Sequence, residues 1–133
     1  MDDKNIKILI AEDDVLLQDI WKQKISKEGF NVATAINGAE TLEKIESLKP
    51  DFLLLDIIMP KADGFEVLKK IRAHPDKKIR EMIVIVLSNL GSEEDIKKAE
   101  QLGSDSYIIK AMFSTEDVIN KVREYQKHLK TQK

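Results

Sequence analysis

The sequence predicts an α/β fold in which a parallel five-stranded sheet lies between two helical layers, a doubly wound (βα)5 arrangement. Two observations carry this reading. Five short runs are apolar at nearly every position, as strands covered on both faces are. Between them lie longer stretches whose apolar residues recur at three and four, and right-handed helical crossovers are what parallel neighbours require.

The elements follow in order. Ile6 to Ala11 is the first strand and runs into the acids Glu12-Asp13-Asp14, with Asp14 expected as a helix N-cap. Leu17, Ile20, Trp21 and Ile25 form the stripe of the first helix, which Gly29 stops at C′. Phe30 to Ala35 is the second strand; Leu42, Ile45 and Leu48 mark the second helix, closed by Pro50. Phe52 to Leu55 is the third strand, ending at Asp56 and followed by Ile57-Ile58-Met59-Pro60. Asp63 is placed to cap a helix bearing Val67, Leu68 and Ile71. Met82 to Leu87 is the fourth strand, with Ser88-Asn89 at its end. Ser92 with Asp95 has capping-box spacing ahead of Ile96, Ala99 and Leu102, and Gly103 ends that helix. Tyr107 to Ile109 is the fifth strand and leads to Lys110. Ser114 with Asp117 repeats the capping spacing before Val118, Val122, Tyr125 and Leu129. The core is expected over about 6–125, and the polar tail Lys127 to Lys133 is expected to fray.

Composition narrows the function classes. The 133 residues suit one domain without an internal linker, long enough to bury a real core. Basic and acidic residues number 22 and 24, which argues against a surface devoted to nucleic acid. With no cysteine, disulfides, thiolate metal sites and cysteine nucleophiles are excluded. No signal peptide is visible, and the longest uncharged apolar run, Met82 to Leu87, is far below the roughly 18 residues of a membrane helix. A cytoplasmic protein with no membrane contact is expected.

In such a sheet, ligands bind beyond the carboxyl ends of the strands, where the strand order reverses. Those ends carry Glu12 and Asp13, Asp56, Ser88, and Lys110. If the first and third strands are neighbours, three carboxylates meet. Two unit charges about 5 Å apart at an effective dielectric of about 20 repel by roughly 3 kcal/mol, so a raised pKa or a cation must compensate. Oxygen ligands without His or Cys suit Mg²⁺. A carboxylate can also attack phosphorus to form an acyl phosphate, a reaction that needs mainly positioning and charge neutralisation.

The segments Ile8-Leu9-Ile10-Ala11-Glu12-Asp13-Asp14, Leu54-Leu55-Asp56-Ile57-Ile58-Met59-Pro60 with Asp63-Gly64, Val84-Ile85-Val86-Leu87-Ser88 and Tyr107-Ile108-Ile109-Lys110 occur in that order. In this the chain resembles a receiver domain of bacterial two-component response regulators, of the single-domain chemotaxis-regulator type, over about Lys7 to Val122. The resemblance implies a flavodoxin-like fold with strand order 2-1-3-4-5. It implies Asp56 as phosphoacceptor, and Mg²⁺ (or Mn²⁺) held by Glu12, Asp13, Asp56 and the backbone carbonyl of Ile58. Lys110 would pair with the phosphoryl group, Ser88 would move toward it, and Tyr107 would change rotamer with Ser88. The phosphate would come from a sensor histidine kinase, a phosphotransfer protein or a small phosphodonor. The fourth helix, fifth strand and fifth helix would then bind a downstream protein, the chain being a monomer or a weak phosphorylation-dependent dimer. Beyond its own phosphorylation and dephosphorylation it would not be an enzyme.

Other readings stay open. Asp56 alone reads as a cap, Lys110 as a solvated surface lysine, and Glu12-Asp13-Asp14 as a negative first helical turn. Trp21 reads as packing, and His74 and His128 take no role. A phosphatase with an aspartate nucleophile normally carries a second aspartate two residues on, where this chain has Ile58. A flavin carrier would need a Ser/Thr/Gly-rich phosphate loop where this chain has acids. A receiver-like scaffold that signals without phosphorylation also fits.

Two departures from the family pattern carry expectations. Lys110 is followed by Ala111 instead of proline, and a cis bond there would cost about 2.5–4 kcal/mol, so a trans peptide is expected. Ile58, Asn89 and Leu90 stand where the family borders the path of the hydrolytic water. Ile58 and Leu90 cannot orient a water by hydrogen bonding, so slow self-dephosphorylation is expected.

Overall fold

Strand and helix alternate along the chain as the apolar pattern requires, and the strands pair in parallel throughout. The computed structural model describes residues 6–57, 59, 63–89 and 92–131, the last four by backbone alone. The strands are β1 (Lys7–Ala11), β2 (Asn31–Ala35), β3 (Phe52–Asp56), β4 (Ile83–Ser88) and β5 (Ser106–Ile109). They form one sheet in the order β2-β1-β3-β4-β5. The helices are α1 (Val15–Lys27), α2 (Gly38–Leu48), α3 (Gly64–Arg72), α4 (Lys77–Arg80), α5 (Glu93–Gln101) and α6 (Thr115–Thr131), with a 3₁₀ turn at Lys110–Met112.

Period-two alternation divides the core in two. Leu9, Leu53, Leu55, Val84 and Val86 face one side and meet Ile45, Val67, Leu68, Ile71, Ile79 and Ala99 from α2 to α5. Ile8, Ile10, Phe52, Leu54, Ile85 and Leu87 face the other and meet Trp21, Ile25, Val118, Ile119 and Val122 from α1 and α6. Every residue of β3 is buried, because the central strand is covered by helices on both faces. Each of its fully buried Leu and Phe side chains contributes roughly 1.5–3 kcal/mol of transfer free energy.

Local signals act where expected. Asp14, Asp63, Ser92 and Ser114 accept backbone N–H groups in the first turns of α1, α3, α5 and α6. Gly29 and Gly103 take φ of 101° and 102°, the left-handed conformation that ends α1 and α5.

Two expectations need correction. Ile20 is 48% exposed and leaves the buried stripe of α1, which is Gln18, Trp21 and Ile25. At about 100° per residue Ile20 turns away from that face, and Gln18 occupies it. The four-residue α4, capped by Asp76, was too short to show a helical period, so the expected fourth and fifth helices are α5 and α6. The last helix, α6, runs from Thr115 to Thr131.

All five strands point the same way, so their carboxyl ends share one edge of the sheet. Ala11 pairs with Leu55, which places Glu12 beside Asp56. Asp56 pairs with Leu87, and Ser88 with Ile109, so Ser88 and Lys110 complete the same edge.

Candidate functional site

Glu12 follows β1 and is buried although acidic. Its N–H extends the β1–β2 ladder to the Ala35 carbonyl at 3.0 Å. One carboxylate oxygen, Oε2, accepts from the Asp14 N–H at 3.2 Å, and the other, Oε1, accepts from Lys110 Nζ. Asp56, also buried, accepts from the same ammonium through Oδ2 at 2.9 Å. Lys110 therefore bridges two buried carboxylates from two adjacent strands. Asp13 lies exposed beside them, and one oxygen from each of Glu12, Asp13 and Asp56 falls within 4.8 Å of the others.

Three carboxylates against one ammonium leave a surplus of negative charge, and the electrostatics register it. The Glu12 carboxyl is held above its ordinary range, first by burial and then by Asp56, which together outweigh the lowering by Lys110. Asp13 is raised too, by burial and by its neighbour Glu12. Burial pulls the Lys110 ammonium down, but its bonds to Glu12 and Asp56 outweigh that, and the net direction is upward. Glu12 and Lys110 thus move the same way: burial and then Asp56 raise the one, and the two carboxylates raise the other.

The donor set fits a hard divalent cation. It consists of carboxylate oxygens on a partly open face, and oxygens around a common Mg²⁺ at about 2.1 Å stand at most about 4.2 Å apart. Closing from 4.8 Å is within the reach of a side-chain adjustment. Two further positive charges would balance the excess carboxylates. Ile58, expected to add its carbonyl, lies outside the described residues, as does Leu90; Asn89 is exposed.

Ser88, at the end of β4, is fully buried. The half-buried Tyr107 packs against the core on the α2-to-α5 side of the sheet, and the Ser88 side chain is close enough to its hydroxyl to favour the ionised form. Burial raises the Tyr107 hydroxyl above its usual range. The ring thus links the end of β4 to β5 and the face bearing α5. After Lys110 the chain turns into the 3₁₀ segment with no cis peptide among the described residues, so the bond to Ala111 is trans. Met112 and Phe113 follow, 72% and 46% exposed.

Two residues matter here in ways sequence reasoning missed. Gln18 lies buried on α1 and donates through Nε2 to the carbonyls of Glu12 and Ala35, each at 3.0 Å. The signal was a polar amide at helical spacing from Trp21 and Ile25, on the stripe where Ile20 was expected. Gly64 opens α3 directly against the end of β3: a Cβ there would lie 2.6 Å from the Asp56 carbonyl oxygen and from Ile57 Cα. Its N–H donates to the Ile57 carbonyl at 2.8 Å. The Asp63-Gly64 pair was visible, but the approach that demands glycine was not. His74 lies outside the site, where it pairs with Glu46 and accepts from the Asp76 N–H; the His128 side chain lies outside those described. No helix among the described residues is long and apolar enough to cross a membrane.

Comparison with known proteins places this geometry. The Francisella response regulator 1452 receiver domain is 33% identical, with a TM-score of 0.84 over 94% of this chain and 99% of that one. A CheY-like response regulator receiver domain protein from Methanospirillum hungatei is 30% identical, with a TM-score of 0.86 over 96% and 98%. A two-component response regulator from Clostridium difficile is 27% identical, with a TM-score of 0.86 over 94% and 98%. The family model for the response regulator receiver domain matches residues 8–123, which include every carboxylate, the lysine and the hydroxyl groups at the sheet edge. The chain belongs to the response regulator receiver domain family.

Proposed function

We propose that this chain is a phosphorylation-dependent switch that accepts a phosphoryl group on Asp56 from a sensor histidine kinase, a phosphotransfer protein or a small phosphodonor. The observation that carries this reading is Lys110 bridging Glu12 and Asp56 beside Asp13, in a receiver fold. An Asp56 oxygen attacks phosphorus; the new P–O bond forms as the P–N bond to the donor imidazole breaks, and the electron pair leaves with the imidazole. Glu12, Asp13 and Asp56 would hold Mg²⁺ (or Mn²⁺), which would supply charge neutralisation at the phosphoryl oxygens. Lys110 Nζ, already in contact with Asp56, would add to that neutralisation. Ser88 then donates its hydroxyl to a phosphoryl oxygen, and Tyr107, beside Ser88, carries the change to the α5–β5–α6 face, where a downstream protein binds.

Exposed Val15 and Leu16 at the start of α1, and Met112 and Phe113 after β5, flank a carboxylate that is itself buried. Such a rim favours a protein donor that covers the mouth during transfer. The protein is read as cytoplasmic, as a monomer or weak phosphorylation-dependent dimer without direct nucleic-acid contact, and as no enzyme beyond catalysing its own phosphorylation and dephosphorylation. The test is intact mass after incubation with a small phosphodonor and Mg²⁺. One added phosphoryl group is expected, abolished in Asp56→Asn and by chelator. Modification that persists in Asp56→Asn overturns the assignment, and a folded wild type that takes no phosphate makes the chain a scaffold instead.

A further inference from the structure

We infer that Gln18 is a positioning residue for the cation-binding acids. This rests on reading Glu12, Asp13 and Asp56 as cation ligands. The Gln18 side chain rises from the buried face of α1 and delivers both hydrogens of its amide to carbonyls at the ends of two strands, Glu12 and Ala35, each at 3.0 Å. The Ala35 carbonyl also accepts the Glu12 N–H at 3.0 Å, so its two lone pairs are both used. One side chain thereby clips the last residue of β2 to the peptide that joins Glu12 to Asp13.

The location gives the clip its consequence. Glu12, Asp13 and Asp14 are consecutive acids, and like charges along so short a segment push the turn open. The Glu12 carbonyl belongs to the same peptide plane as the Asp13 N–H, so holding that carbonyl fixes the direction in which Asp13 leaves the strand. The Glu12 side chain is then tied at its far end by Lys110 and the Asp14 N–H. Without Gln18 the Glu12 carbonyl loses this partner, and the turn relaxes under its own repulsion. Groups that orient metal ligands in this manner are typically worth 10- to 100-fold in metal affinity.

The experiment is an NMR titration with Mg²⁺ alone, following amide shifts of residues 12 to 14, on the full chain. Gln18→Met keeps the shape and removes the donors; its Mg²⁺ dissociation constant is expected to rise about tenfold. Ile45→Val, a core change in α2 costing a similar amount of stability, is expected to leave that constant within about twofold. Gln18→Lys restores a donor while adding a positive charge. Electrostatics alone would weaken its Mg²⁺ binding below that of Gln18→Met, whereas positioning makes it the tighter of the two. If Gln18→Met does not fold, Gln18→Lys against wild type decides: a loss within fivefold supports the role and a larger one overturns it. Gln18→Met within twofold of wild type, or an equal loss in Ile45→Val, also overturns it. A wild type that binds no Mg²⁺ would instead sink the cation reading itself.

Discussion

Replacing Gly64 by alanine sets two sequence-level rules against each other. In a helix alanine is favoured over glycine by about 1 kcal/mol, so helix propensity alone predicts a more stable protein. The tertiary structure predicts the opposite. The added Cβ would sit 2.6 Å from both the Asp56 carbonyl oxygen and Ile57 Cα, where ordinary contact begins at 3.4 Å. Both obstacles are backbone of the central strand's end, so no side-chain rotation relieves them. The start of α3 has to back away by about 0.8 Å, stretching the 2.8 Å bond from the Gly64 N–H to the Ile57 carbonyl. Overpacking of this kind costs about 1–3 kcal/mol, and the weakened hydrogen bond adds about 1 kcal/mol. After the propensity gain, a net loss of about 1–3 kcal/mol remains. Urea denaturation should show a lower midpoint with an unchanged slope. Because the displaced carbonyl belongs to Asp56, acyl-phosphate formation should also slow, by about tenfold or more, since misplacing a reacting group by about 1 Å can cost about 100-fold. A Gly64→Ala protein as stable as wild type, or phosphorylated at the wild-type rate, would refute the reasoning.

Four shorter predictions follow. Arg72 donates to the Gly103, Arg80 and Met82 carbonyls and pairs with Asp105, so Arg72→Met should cost about 2–4 kcal/mol in urea denaturation, and Arg72→Lys should recover under half of it because an ammonium cannot reproduce the planar fork. Asp13 has its folded pKa raised, so the folded state binds the proton more tightly than the unfolded one; its stabilising share is complete below the unfolded value and is lost as pH rises through the folded value. Asp13→Asn should therefore stabilise the fold at pH 7 by less than about 1 kcal/mol in so exposed a position, seen as a raised melting temperature, and the advantage should vanish near pH 3; a variant less stable than wild type at pH 7 would contradict this. Ser88→Ala should still take phosphate on Asp56, yet show smaller phosphorylation-induced NMR shifts in α5, and shifts equal to wild type would count against the Ser88–Tyr107 link. The acyl phosphate should be long-lived, and Ile58→Asn with Leu90→Glu, which offers polar groups to a water, should shorten its lifetime several-fold; a wild-type lifetime no longer than the double variant's would be the contrary result.

What the sequence by itself determined were the features set by short-range chemistry. Runs of apolar residues marked the strands, capping residues and glycines marked helix ends, and the carboxyl ends of successive strands displayed Glu12, Asp13, Asp56, Ser88 and Lys110 in order. Five residues at those spacings were enough to suggest their chemistry. Tertiary structure alone decided which of them touch, and through which atoms. Pairing of β1 with β3 set Glu12 beside Asp56, and only then did Lys110, 54 residues beyond Asp56, become a bridge between two buried carboxylates. The apolar run Phe52–Leu55 of β3 hid which side chains face which layer, since a strand covered on both sides has no alternation to read. Gln18 and Ile20 could not be told apart as the inward residue, because the stripe of α1 acquires its centre from where the helix lands on the sheet. Gly64 was in plain view, but the reason it must be glycine is a backbone 2.6 Å away, and closeness between segments is a property of the folded chain and not of any stretch of it.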